Sequence, residues 1–243
     1  MTPMLATAIR LLTQLRHDHR SLALVAVLPV VLISIAYALF DGAEPLVDRL
    51  QLDMMGVFPL ILMCLLTSVA MLRERTSGTL ERLMTTPITP WGLIGAYALA
   101  FGLLAAAQVA ILSAWCFWAL DLDIAGPVLA VLLVGVVNAL MGVALGLFAS
   151  AFARTEFQAI QMFPVLVIPQ ILLCGLFGRR EDMAGWLQPV SDVMPLRYSV
   201  EALEQLRDHS DLTSTYWADL GIVAAVVVGV LVLASLTLRR RSA

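Results

Sequence analysis

Six long runs without a single Asp, Glu, His, Lys or Arg divide this chain of 243 residues, at Ser21–Phe40, Met54–Leu72, Trp91–Leu120, Val128–Phe152, Ile160–Gly178 and Leu220–Leu238. A hydrocarbon core of about 30 Å is crossed by roughly 20 residues of helix, so each run is long enough to span it. Lipid offers no partner to backbone N–H and C=O groups, and a segment that spans it therefore bonds them within itself as a helix. The runs thus predict an all-α integral membrane protein with six transmembrane helices. The third run exceeds a perpendicular crossing and predicts tilt or projection beyond the bilayer. Composition agrees, with 60% apolar and 14% charged residues against about 45–50% and about 25% in soluble domains.

All 15 Lys/Arg positions are arginine, and their placement orients the bundle. With the N-terminus cytoplasmic, the inner segments hold Arg10, Arg16, Arg20, Arg73, Arg75, Arg82, Arg154, Arg239, Arg240 and Arg241. The outer ones hold Arg49, Arg179, Arg180, Arg197 and Arg207, a two-to-one excess inside, as the positive-inside rule requires. Both termini are expected in the cytoplasm, in a cytoplasmic (inner) membrane. Arg10, Arg16, His17, His19 and Arg20 interrupt the first 20 residues, so no secretory leader is predicted and the first span is expected to stay. The terminal arginines read as an anchor at anionic headgroups. One domain is expected over 1–243: an interfacial segment 1–20, spans one to five within 21–178, an extracytoplasmic loop 179–219, span six at 220–238 and a cytoplasmic tail 239–243.

Two segments outside the spans are amphipathic. Thr2-Pro3 offers a cap and a proline at the first helical position, and Leu5, Ala8, Ile9, Leu12 and Leu15 follow at helical spacing, predicting a helix lying in the cytoplasmic interface. Arg16 falls on its apolar side and has to snorkel. In the long outer loop, Pro195 opens a helix with Leu196, Val200, Leu203 and Leu206 on one face and Arg197, Glu201, Glu204 and Arg207 on the other, predicting an element lying on the outer leaflet or re-entering it.

Several functions are disfavoured. A P-loop needs a lysine to reach the β- and γ-phosphates, and the chain has none. The inner loops, Arg73–Pro90 and Ala153–Ala159, are also too short for a nucleotide-binding domain of about 100 residues or more. No nucleotide cofactor is therefore expected here, and ATP with its magnesium would sit on another subunit. Ion-coupled transport usually places charged groups at membrane depth, and the six runs hold none. His17, His19 and His209 lie outside them, and Cys64, Cys116 and Cys174 form no CxxC or Cys/His cluster, so no metal site and no catalytic constellation is predicted. Nothing points to nucleic acid.

Between spans two and three runs Arg73-Glu74-Arg75-Thr76-Ser77-Gly78-Thr79-Leu80-Glu81-Arg82-Leu83-Met84-Thr85-Thr86-Pro87-Ile88-Thr89-Pro90. Gly78 permits a sharp change of direction, and Thr79 can cap a short helix with Leu80, Leu83 and Met84 on one face. Thr89-Pro90 can cap the third span. The string Glu74-Arg75-x-x-Gly78-Thr79-Leu80-Glu81-Arg82-Leu83 with Thr86-Pro87 resembles the loop between the second and third helices of ABC-2 type permeases, a group that includes daunorubicin/doxorubicin-type drug exporters. The resemblance extends to the interfacial helix, the six spans and Pro195-Leu196-x-Tyr198 before the last span.

The resemblance implies a coupling helix docking into a P-loop ATPase present in two copies, through Glu74, Arg75, Gly78, Thr79, Leu80, Glu81, Arg82, Leu83 and Pro87. It also implies a second permease protomer, identical or similar, and export of a hydrophobic or amphipathic small molecule such as a drug or lipid. This chain ends soon after Arg241, without the large extracellular domain of some longer relatives, and so resembles the small members. Small residues at Gly102, Ala106, Ala110 and Ala114 in span three and at Asn138, Gly142, Gly146 and Ser150 in span four predict close helix packing. In span five Pro164 and Pro169 interrupt the backbone ladder and Gln161 and Gln170 add polar groups. By resemblance this helix and the first line a path between protomers, with Gln161, Gln170 and Phe177 as lining residues. An ion-coupled transporter and a non-transporting scaffold or immunity protein are the alternatives.

Overall fold

A computed structural model describes residues 2–40, 44–84, 88–178 and 180–239. Ten α-helices and a short 3-10 turn account for nearly all of them, and no strand occurs among the described residues. Six helices are long and apolar enough to cross a membrane: α2 (His19–Leu39), α3 (Glu44–Thr76), α5 (Pro90–Ala119), α6 (Val128–Ser150), α7 (Glu156–Leu173) and α10 (Ser214–Arg239). The other four are α1 (Pro3–His17), α4 (Thr79–Met84), α8 (Gln188–Val193) and α9 (Pro195–Asp208).

The core is the α3/α6 pair, with α5 and α10 also packed against α6. Gly142 and Gly146 make this possible, because a Cβ at Gly142 would lie 2.3 Å from the Leu60 carbonyl oxygen and one at Gly146 2.4 Å from that of Cys64. Backbones this close leave room for nothing larger than hydrogen, the way helices associate in lipid. Asn138, Gly142, Gly146 and Ser150 are all buried. The matching stripe on α5 is only partly used: Gly102 meets Leu140, Ala106 is half-buried, and Ala110 and Ala114 are exposed. At about 100° per residue a four-residue stripe rotates by roughly 120° between Gly102 and Ala114. Ala105, Val109, Leu112 and Cys116 take over the buried side.

Several expected boundaries move, with α7 beginning at Glu156 and α10 at Ser214, ahead of their charge-free runs. The second spanning helix begins at Glu44, ten residues before the apolar run, and carries Asp48, Arg49 and Asp53. Asp53 is 1% exposed, and Asp219 is buried near the start of α10, so the helices that are long enough to span do hold carboxylates, beyond the ends of the charge-free runs. Arg49 makes this tolerable for Asp53: it lies 3.7 Å from the Asp53 carboxylate and 3.0 Å from that of Glu204, and donates to the Gly175 carbonyl. The fifth spanning helix stops at Leu173 instead of Gly178. Gly175 adopts φ +104°, a conformation open to glycine, and the Ser191 hydroxyl caps the Leu173 carbonyl at 2.7 Å.

The amphipathic segment before α10 enters the bundle. Leu196, Val200, Leu203 and Leu206 are buried, and Ser199 donates to the Asn138 Oδ1, whose amide donates in turn to the Gly56 carbonyl. Asn138 stands ten residues into α6 from Val128, about 15 Å at 1.5 Å per residue, half the thickness of a hydrocarbon core. The other end of α9 meets the loop between α5 and α6, where Gly126 N–H bonds the Leu206 carbonyl at 2.8 Å. The helix therefore runs beside α6 from near its middle to its first turn, packed into the bundle. Its charged side, with Arg49, Arg180 and Glu181, borders a polar cavity of about 440 Å³.

Arg180 holds Asp192 in a two-bond fork at 2.7 and 2.8 Å, and Arg197 bonds the same carboxylate. The hydrogen bonds from Arg180 first, then the charge of Arg197, keep the Asp192 carboxyl below the usual carboxylate range. A depressed pKa means that this contribution is complete above the ordinary carboxylate pKa and is lost as pH falls through the folded value. Hydrogen exchange in Gln188–Tyr198 is expected to quicken below that range, and Asp192→Asn to do the same at pH 7. Exchange indifferent to both changes would show that the fork does not hold this segment.

Candidate functional site

The C-terminal end of α3 is where charged residues converge. The helix continues to Thr76 and ends in a turn at Ser77-Gly78, with Gly78 at φ +69°. This left-handed conformation after a helix is the one glycine adopts without a Cβ penalty. The Ser77 N–H bonds the Arg73 carbonyl at 3.0 Å, and α4 follows at once. Thr79 is the first residue of α4, and its hydroxyl meets that of Ser77 at 2.6 Å. Leu80 and Leu83 are half-buried against a core that includes Leu11, Met71, Ile88 and Leu93. The apolar side of α4 thus packs in part on its own chain through these two leucines. The side chains of Glu81, Arg82 and Met84, and all of Thr85, Thr86 and Pro87, lie outside the described residues.

Glu74 also turns inward. It is 8% exposed and accepts a 2.8 Å bond from Arg10 of α1, which ties the N-terminal helix to the end of α3. Arg75 is partly exposed on the next position. In α1 the buried residues are Thr7, Ala8 and Leu11, while Leu5 and Ile9 stay exposed, so the helix has one side on the protein and an apolar flank free. Thr2 occupies the cap position, but its side chain makes no cap bond. The Asp18 carboxylate caps α2 through the Ser21 N–H and hydroxyl, and these bonds hold its pKa below the usual range. A cavity of about 610 Å³ opens between these helices, with Asp18, Ser77 and Thr79 among its polar lining and Tyr97 and Phe101 among its apolar one.

Arg73, neighbour to Glu74, reaches the opposite way. Its Nε and Nη2 donate to the two carboxylate oxygens of Glu156 at 2.8 and 3.3 Å. Glu156 opens α7 behind the Thr155 cap, whose hydroxyl accepts from Gln158 N–H at 3.2 Å. Sequence reading missed the Arg10–Glu74 and Arg73–Glu156 pairs. The only local signal was the Thr155-Glu156 helix start, since the partners stand 64 and 83 residues apart.

The three lining residues expected of span five do not share a face. Gln161 is exposed beside Phe152, Arg154, Gln158 and Val165, and Phe177 is 72% exposed in the turn beyond α7. Gln170 is 4% exposed and donates to the Leu166 carbonyl. Nine residues separate it from Gln161, half a rotation at about 100° per residue. The outward side of α7 is nonetheless polar in its backbone. Pro164 and Pro169 have no N–H for the carbonyls of Ile160 and Val165, and both of these residues are exposed.

Comparison with known proteins places this geometry in a family. Residues 4–206 match the ABC-2 type transporters. Over 142 residues, 58% of this chain and 39% of the relative, the sequence is 31% identical to the probable multidrug ABC transporter permease YbhR of Escherichia coli. Over 241 residues, 95% of this chain and 82% of the relative, it is 25% identical to the daunorubicin resistance ABC transporter permease protein DrrB1 of Streptomyces coeruleorubidus. A further match, 24% identical over 141 residues, is to ABC transporter G family member 20 of Dictyostelium discoideum. The aligned part of YbhR is about two fifths of its length. This multi-pass chain belongs to the ABC-2 type transporter family.

Proposed function

We propose that this chain is the transmembrane permease subunit of an ATP-binding cassette exporter, driven by two copies of a separate P-loop ATPase and paired with a second permease protomer in the cytoplasmic membrane. One observation carries the reading: α3 runs as a single helix of 33 residues from the outer polar cavity to the Gly78 turn. A displacement of α4 by a partner is therefore delivered along the helix from the Gly78 turn as far as Pro59, where the backbone ladder is interrupted. The docking surface is the side of α4 away from Leu80 and Leu83, together with the hydroxyls of Ser77 and Thr79 and the mouth of the adjoining cavity.

Backbone carbonyls without their helical donor are costly against lipid and tolerated against protein or water. The proline-bearing side of α7 supports a place beside the second protomer and the path, with Gln161 toward it. The charged groups of the spanning helices sit at their ends, leaving the middle of the path to a hydrophobic or amphipathic molecule, with multidrug and daunorubicin permeases among the relatives. Purification from membranes is expected to bring a P-loop ATPase with the chain, and Glu81→Arg to leave insertion intact while lowering substrate-stimulated ATP hydrolysis in the reconstituted complex. Transport by vesicles holding this chain alone under an ion gradient would instead place it among secondary transporters.

A further inference from the structure

We propose that Arg73 and Glu156 form the strut that carries movement of the α4 turn to α7, so that the two act as positioning residues for the transport path; this rests on the reading of α4 as the ATPase-facing element. Adjacent residues on a helix point about 100° apart, and the end of α3 uses this to divide its connections. Glu74 holds α1 through Arg10, while Arg73 holds the first residue of α7 through both oxygens of Glu156. A two-point guanidinium–carboxylate contact fixes orientation as well as distance, as a mechanical link between two helix ends requires.

The surroundings of the pair fit transmission. Beneath it lies a small apolar contact among Leu72, Ala153 and Ala159, the first turn of α7 is exposed at Glu156, Phe157 and Gln158, and α7 rejoins α3 further along, where Val167 is buried in one cluster with Leu60 and Cys64. Pro164 and Pro169 then weaken the α7 backbone ladder, and prolines are where helices bend. The inner end of α7 can swing on these points when Arg73 moves. Both side chains of the pair are half-exposed or more, and such pairs add little to folding, so substitution tests their mechanical part without unfolding the protein.

The test uses the permease reconstituted with its ATPase in lipid vesicles. Arg73→Glu and Glu156→Arg are each expected to lower substrate transport at least about fivefold, the lower end of measured coupling between sites, with ATPase binding and basal hydrolysis retained. The exchanged pair, Arg73→Glu with Glu156→Arg, is expected to recover most of the loss. Joining Arg73→Cys to Glu156→Cys with a reducible bifunctional thiol crosslinker offers a second measurement, since Cys64, Cys116 and Cys174 are buried; locking the ends together is expected to slow transport reversibly. Wild-type transport in both single variants, or no recovery in a stably folded exchange, overturns the strut. If Gly78→Val uncouples the ATPase while Arg73→Glu transports normally, the strut alone fails. If no ATPase binds the wild-type chain, the reading beneath it fails.

Discussion

Gly146→Leu is expected to leave little folded protein in detergent, and Gly146→Ala to lower the melting temperature strongly. A Cβ at this position would stand 2.1 Å from the Thr67 Oγ1 and 2.4 Å from the Cys64 carbonyl oxygen, and one at Gly142 would stand 2.3 Å from the Leu60 carbonyl oxygen. Overpacking a core costs about 1–3 kcal/mol when side chains can give way. Here the obstacle is largely the backbone of α3, so each alanine is expected to cost about 3 kcal/mol, the upper end of that range. Thr67 adds to the loss, because its hydroxyl is already committed to the Met63 carbonyl at 2.6 Å and cannot simply rotate away. Gly221 and Gly229 of α10, where a Cβ meets nothing within 4 Å, serve as controls expected to tolerate alanine. Equal melting curves for Gly146→Ala and Gly229→Ala would refute the close approach of α3 and α6.

The six spans were legible because lipid imposes one rule on every residue of a crossing, and a run free of charge satisfies it visibly. Helix starts were legible for the same local reason: Thr89 caps α5 through Gly92 N–H at 3.0 Å, as Thr89-Pro90 predicts. What a local rule could not supply was the partner that makes an exception affordable. Asp53 ends the apolar run in sequence but not the helix, since Arg49 and, through it, Glu204 of a distant helix accompany it. Likewise Glu74, which the resemblance puts among the ATPase contacts, is drawn inward by Arg10, 64 residues away. The leucines of α4 were placed on one face correctly, yet which body covers that face depends on how the α3 turn folds back, which spacing does not encode. How far α9 packs along α6 likewise depends on a contact that no local rule supplies, Ser199 to Asn138, between residues 61 apart.

Gly78→Val is expected to reduce substrate-stimulated ATP hydrolysis about tenfold while leaving the spans folded. A non-glycine residue in the left-handed region costs roughly 1–2 kcal/mol, and each 1.4 kcal/mol is a factor of about ten in an equilibrium. At φ +69° valine has to pay that cost or change the turn, and changing the turn redirects α4 relative to α3. Because Leu80 and Leu83 anchor α4 to the core, the strain falls on the few residues between the two helices, where the ATPase would press. The effect should follow backbone preference, not side-chain size. Gly78→Asn, larger than alanine but at ease in this conformation, is expected to retain more stimulation than Gly78→Ala, and Gly78→Val the least. If the loss instead follows volume, with asparagine worse than alanine, then Gly78 acts by leaving space for the ATPase surface. If all three match the wild type, force does not enter through this turn, and neither α3 nor α4 can be the element that the ATPase drives.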